Sequence, residues 1–215
     1  ITYSRDIVSE GAKIGAPTLI RQGLTSVTNG LLNNITKPFG DAAIAAMSVV
    51  SRYSSFLMCV GLGMGQGFQP VASFNYQARE YDRVKKGLLF TTAFGLVFIG
   101  LMSTISIVFA EPIIGLFQKH PEVIAIGSTA LRFTAFGMLF MPFSVPVNML
   151  YQSIQQPTIS SILSMIRSGA VTIPLLLIGV PFLGLLGIQI AQPTADIIAG
   201  VISIPFIIRF VKYSK

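Results

Sequence analysis

Arg52, Arg132 and Asp196 each fall eleven or twelve residues into a long apolar stretch. At about 1.5 Å per residue of helix, that sets all three about 17 Å from the start of their segments. A charge at such a depth in lipid costs about 2.5 to 3.5 kcal/mol on insertion scales. Arg21 and Arg167 lie within apolar stretches too. Were all five to face lipid, the cost would be on the order of 12 to 18 kcal/mol, comparable to the whole stability of a typical fold. Most must therefore face inward or snorkel. Asp196 is expected to pair with Arg52 or Arg132 near the midplane, either as a fixed ion pair or as a group that handles a cation.

Uncharged polar residues follow the same logic. Thr18, Gln22, Thr25, Ser26, Asn29 and Asn33 recur at spacings that put them along one helical face. A second stripe holds Ser48, Arg52, Ser55 and Cys59, a third Ser161, Ser164, Ser168 and Thr172, and a fourth Gln189, Gln192, Asp196 and Ser203. Such residues can act as hydrogen-bonding glue between membrane helices. Stripes that also carry charge point to a shared hydrated cleft. Met138 and Met141, with Phe136, Phe140 and Phe143, could line it as an adaptable apolar wall, or serve as ordinary packing.

Composition dictates the scaffold for these residues. The 215 residues are 52% hydrophobic and 11% charged, against about 25% charged in soluble domains. An all-α polytopic bundle of six transmembrane helices is expected, because roughly 20 apolar residues cross the hydrocarbon layer and runs this long exclude barrel strands. The expected spans are 8–36, 41–69, 86–110, 121–150, 158–180 and 184–210, separated by signals at Gly40-Asp41, His120-Pro121-Glu122 and Pro181 to Gly184. Arg5, Lys13, Arg79, Arg83, Lys85, Lys86, Arg209, Lys212 and Lys215 then lie on one side, and Lys37 and Lys119 on the other. That asymmetry places both termini of the segment in the cytoplasm of a multi-pass plasma-membrane protein. The third span, Leu88 to Val108, has no polar stripe and should face lipid more fully.

Gly61, Gly63, Gly65 and Gly67 form two overlapping GxxxG patterns, so close helix approach is expected there. Pro142 and Pro146 in the fourth span, Pro174 in the fifth, and Pro193 and Pro205 in the sixth should each bend their helix.

Catalysis finds little support. His120 is the only histidine and sits in an outer loop, Cys59 is the only cysteine, and no nucleophile is paired with a base. No metal site and no cofactor are expected. The net charge of +7 reflects loops between spans and does not build a nucleic-acid surface, which would need a basic face with interleaved aromatics.

Gly61-Leu-Gly-Met-Gly-Gln-Gly-Phe-Gln-Pro70, with Val71-Ala-Ser-Phe-Asn-Tyr-Gln-Ala-Arg-Glu-Tyr-Asp-Arg83 after it, resembles the end of the eighth helix and the next cytoplasmic loop of MATE (multidrug and toxic compound extrusion) transporters. The likeness extends to Gly15-Ala-Pro17, Lys37-Pro-Phe-Gly-Asp-Ala-Ala-Ile-Ala-Ala46 and Gln152-Ser-Ile-Gln-Gln-Pro157. It implies that residues 1–215 are the C-terminal six-helix lobe of a twelve-helix antiporter, facing an N-terminal lobe across a cleft that alternates in access. It also implies export of small organic cations in exchange for protons or sodium. One branch of the family carries coupling carboxylates in this lobe. The matching positions here are the uncharged Thr25 and Ser144, which implies coupling through the N-terminal lobe or through Asp196. Two alternatives stay open: a flippase for lipid-linked precursors, which needs a strongly cationic cleft, and a membrane scaffold that moves nothing.

Overall fold

The computed structural model describes the backbone of residues 5–213, and side-chain surroundings at 15, 18–20, 22–156 and 158–212. Arg5, Lys13, Arg21 and Lys215 lie outside the described side chains. The described residues are helical apart from short joints, in the order α1 (Arg5–Thr36), a 3-10 turn (Lys37–Phe39), α2 (Asp41–Gln77), α3 (Tyr81–Val108), α4 (Ala110–Phe117), α5 (Pro121–Met138), α6 (Met141–Ser153), α7 (Pro157–Met165), a π-helical turn (Ile166–Ala170), α8 (Thr172–Leu183) and α9 (Leu185–Tyr213). Turn chemistry sets the joints. Gly40 has φ +90° ahead of α2, and Gly184 has φ +57° between α8 and α9, a left-handed backbone that side chains with a Cβ disfavour. Asp41 and Glu122 put negative charge in the first turns of α2 and α5, where the helix dipole favours it.

Four segments are long and apolar enough to cross a membrane: Asp41–Gln77, Tyr81–Val108, Thr158–Leu183 and Leu185–Lys212. α5 and α6, bent by 49° at Leu139 and Phe140, pass as a fifth when the two are counted as one broken span. The expected first span, 8–36, is one helix, yet among the described residues it does not reach the same apolarity. Its polar residues between Thr18 and Asn34 account for that. Two further corrections concern boundaries. α2 runs past the expected end at 69 and through Pro70 to Gln77, because Phe68 and Ala72 pack with Val84, Leu88 and Val147 beyond it. The short α4 comes after α3 across a break at Phe109 and packs Ile114 against α5 at Gly127.

Prolines act unevenly. Pro142 stands just after the α5–α6 bend, as expected. In the fifth span the break is the π turn, which ends at Ala170, four residues before Pro174. Proline has no N–H for the carbonyl four residues back, so that carbonyl is released from the α ladder there. α9 instead stays one continuous helix through Pro193 and Pro205.

The glycine patterns also separate. Gly61 and Gly65 are buried against α6, where an added Cβ at Gly65 would lie 2.7 Å from Val145 Cγ1 and 3.1 Å from Met149 Cγ. Around Gly63 and Gly67 nothing lies within 4 Å. Only the first pair is therefore an interhelical contact within this bundle. Gly65→Leu should lower stability by about 1 to 3 kcal/mol through overpacking, while Gly63→Ala should be neutral or slightly stabilising, since alanine favours helix over glycine. Thermal unfolding in detergent, monitored by size-exclusion chromatography, reads both.

The face of α3 carrying Phe90, Phe94, Val97 and Leu101 is exposed, with stacked rings from Phe90 through Phe94 to Phe98. This is the apolar exterior expected of the third span.

Candidate functional site: a cavity with a buried ion pair in its wall

A cavity of about 310 Å³ opens between α1, α2, α5, α9 and the π turn. Along α2 its lining runs from Met47 to Leu62, about 22 Å at the helical rise. The walls are mixed. Gln22, Thr25 and Asn29 of α1 face Ser51, Ser54 and Ser55 of α2, while Met47, Met58 and Met138 supply flexible apolar surface. Of the residues expected to line a cleft, Gln22, Thr25, Asn29, Ser55 and Met138 are present in this lining. Ser26, Asn33 and Arg52 are exposed and lie outside this lining. Met141 is buried and packs on Gly61, away from the cavity.

Two of the lining residues form an ion pair. Counting along α9 from Gly184, Asp196 is the last residue that lines the cavity. Its Oδ1 accepts a hydrogen bond from Arg167 Nε at 3.1 Å, and the two side chains are only 6% and 12% exposed. Arg167 Nη2 also contacts Met58 Sδ at 3.0 Å. On the far side of Arg167 lies a recess of about 20 Å³, lined in part by Ser144, Asn148, Ser164 and Ser168. Asn148 Nδ2 donates there to the Ser160 carbonyl and to Ser164 Oγ, both at 2.8 Å. Arg167 thus lines both the large cavity and the small recess, each of mixed polar and apolar lining.

Local structure explains why Arg167 reaches this place. The π turn inserts an extra residue into the fifth span and rotates the helix beyond it. Thr28 Oγ1 of α1 donates to the Ser168 carbonyl at 3.1 Å, so a backbone acceptor loosened by the turn is satisfied from a neighbouring helix. Gly169 lets α1 sit close, with Thr28 and Leu24 at 3.2 and 3.3 Å from where a Cβ would be. On α9, Gln189 Nε2 donates to the Ile126 carbonyl at 3.2 Å, and Thr172 Oγ1 lies 3.5 Å from Gln192 Oε1. These bonds hold the polar face of α9 toward the cavity.

The partner of Asp196 is therefore Arg167, and neither Arg52 nor Arg132. Equal depth fixed a level without fixing a direction. Arg132 turns outward to Glu111 on α4, 3.3 Å away, with both side chains about half exposed. Arg52 is exposed and makes no ion pair with any described residue. A signal for Arg167 did exist: counted from the opposite end of its span, it too lies near mid-depth, and Pro174 marks the adjacent break. The Arg132–Glu111 pair, exposed as it is, should contribute at most about 1 kcal/mol, so Glu111→Ala should leave the unfolding temperature nearly unchanged.

Among the described residues, at least four helices long and apolar enough to cross a membrane, packed with α1 around a cavity of mixed lining that holds a buried ion pair, define a polytopic helical membrane-protein fold. The chain belongs to the MatE family, whose profile matches residues 17–178, in agreement with the resemblance carried by residues 61–83. Members of this family are transporters and not enzymes. Curated relatives include the multidrug export protein MepA of Staphylococcus aureus, 24% identical over 188 residues, a match covering 86% of this chain and 41% of MepA. Another is an FAD transporter of Shewanella oneidensis, 24% identical over 204 residues, covering 90% of this chain and 43% of that protein. An outward-facing MATE family multidrug resistance transporter matches with a TM-score of 0.87 at 20% identity, over 98% of this chain and 48% of that one. The Vibrio cholerae MATE transporter VcmN in its bent form gives 0.84 at 22% identity, over 94% and 46%. At these identities the structural likeness shows the fold. The chain spans less than half the length of these relatives.

Proposed function

We propose that this chain is the C-terminal lobe of a cation-coupled antiporter that exports organic cations by alternating access, from a plasma membrane in which both ends of the segment are cytoplasmic. The observation that carries this reading is the 310 Å³ cavity, whose size suits a drug-sized ligand and whose wall holds a buried ion pair. Gln22, Thr25, Asn29, Ser55 and Met138 are its substrate-facing residues.

The N-terminal lobe would complete the cleft. Arg52 supports that arrangement, because it stands about 17 Å into α2 and exposed, a placement that costs about 2.5 to 3.5 kcal/mol against lipid and calls for a polar covering surface. Coupling by protons, or alternatively sodium, is assigned chiefly to that lobe. Thr25 lines the cavity without charge, and Ser144 donates to the Met141 carbonyl at 3.2 Å, so neither supplies a carboxylate. The flippase alternative calls for a strongly cationic cleft. The described charges of this cavity are one arginine and one aspartate, which cancel, and that favours the organic-cation reading.

The experiment is ethidium efflux from proteoliposomes that contain the full-length protein, under an imposed pH or sodium gradient. Efflux driven by either gradient supports antiport. No efflux under both, with movement of a lipid-linked phosphate substrate, would replace it by the flippase.

A further inference from the structure

The Arg167–Asp196 pair lines the cavity, and little besides Asp196 holds the guanidinium. Its hydrogen bonds among the described residues are one to a carboxylate and one to a thioether sulfur, and sulfur is a weak acceptor. Four further N–H donors of an arginine fork thus face a single weak partner. Behind Arg167, the recess offers oxygen acceptors on Ser144, Asn148 and Ser164, with room for about one water-sized group. The residue also sits in a π turn, where backbone register is least tightly held and where functional sites recur. Arg167 lines this recess without bonding to any of these oxygens in this structure.

We propose that Asp196 is a cation-binding site held shut by Arg167, so that a lipophilic monovalent cation entering the 310 Å³ cavity competes with the guanidinium for the carboxylate and releases it toward the Ser144–Asn148–Ser164 recess. The inference rests on the reading of the chain as a transporter lobe and names the anionic anchor of its substrate. Charge supplies the reason for competition. With Arg167 on Asp196 the cavity wall is neutral, and a cation gains nothing from it. With Arg167 withdrawn, the same wall presents one carboxylate in a setting of low dielectric, among the methionines Met58 and Met138. The exchange swaps one cation for another, so no unpaired charge is left on Asp196.

Equilibrium binding of radiolabelled tetraphenylphosphonium to the purified full-length protein tests this without any ion gradient. Arg167→Gln should bind the probe about tenfold more tightly than the native protein, and Asp196→Asn at least tenfold more weakly. The double variant should bind no better than Asp196→Asn. Unchanged binding in Asp196→Asn overturns the proposal, as does a folded Arg167→Gln that binds no more tightly. Should Arg167→Gln fail to fold, the near-isosteric Asp196→Asn decides alone. Loss of ethidium efflux with these affinities intact would refute the antiport reading and leave the site standing.

Discussion

Arg167→Leu is expected to lower stability by about 3 to 5 kcal/mol, the usual consequence of removing one partner from a buried ion pair. Asp196 is 5% exposed as a whole residue, and without Arg167 its charge would stay in a setting that solvates it poorly. The double variant Arg167→Leu/Asp196→Leu should recover most of that loss, since apolar replacements of similar volume are often neutral or stabilising where a buried pair stood. It should not recover transport, because the anionic anchor would be gone. Unfolding in mixed detergent micelles, with ethidium efflux measured on the same three proteins, separates the two effects. A double variant as unstable as the single one would show that the pair holds the fold through contacts other than charge.

The second large effect belongs to the joint between α5 and α9. A Cβ added at Gly137 would lie 2.6 Å from Pro193 Cα and 2.9 Å from its carbonyl oxygen. Pro193 sits inside a helix and its ring is fixed, so neither backbone nor side chain there can give way. Further along α9, a Cβ at Gly200 would meet Phe140 Cβ at 2.5 Å and its carbonyl oxygen at 2.8 Å. These two glycines hold the 49° bend of the fourth span against the helix that carries Asp196. Gly137→Val should cost at least about 3 kcal/mol, at or beyond the upper end of ordinary overpacking, and should reduce the yield of monodisperse protein. It should also weaken substrate binding in whatever folds, because α9 must move away from α5 while Met138 and Asp196 line the same cavity. Gly63→Ala, at a position with open space, is the matched control on the same measurement.

Parts of this architecture are written locally. The apolar runs, the joints at Gly40 and Gly184, and the helix start at Pro121 all express short-range rules of hydrophobic length and turn geometry, and these joints stand where those rules place them. Gly61 and Gly63 show where such rules stop. Both lie in the same GxxxG arithmetic and two residues apart, yet one is buried against α6 and the other faces open space. Spacing says that residues share a face; it does not say which face meets a neighbour. Met138 and Met141 diverge for a related reason, because the bend at Leu139 and Phe140 separates them, sending one to the cavity and the other into the α2–α6 contact.

Residue order alone was enough to establish that the chain lives in a bilayer as apolar helices, that polar stripes run along several of them, and that buried charge must find a partner. Those conclusions rest on transfer free energy and helical period, which are properties of each segment in isolation. It took the packed bundle to make Arg167 the partner of Asp196, to send Arg132 to Glu111, and to set the Arg167–Asp196 pair in the cavity wall. Depth along a helix can be counted from residue numbers. Direction around it depends on the π turn and on the proline and glycine contacts that set how helices roll against one another, and those exist only once every helix is in place.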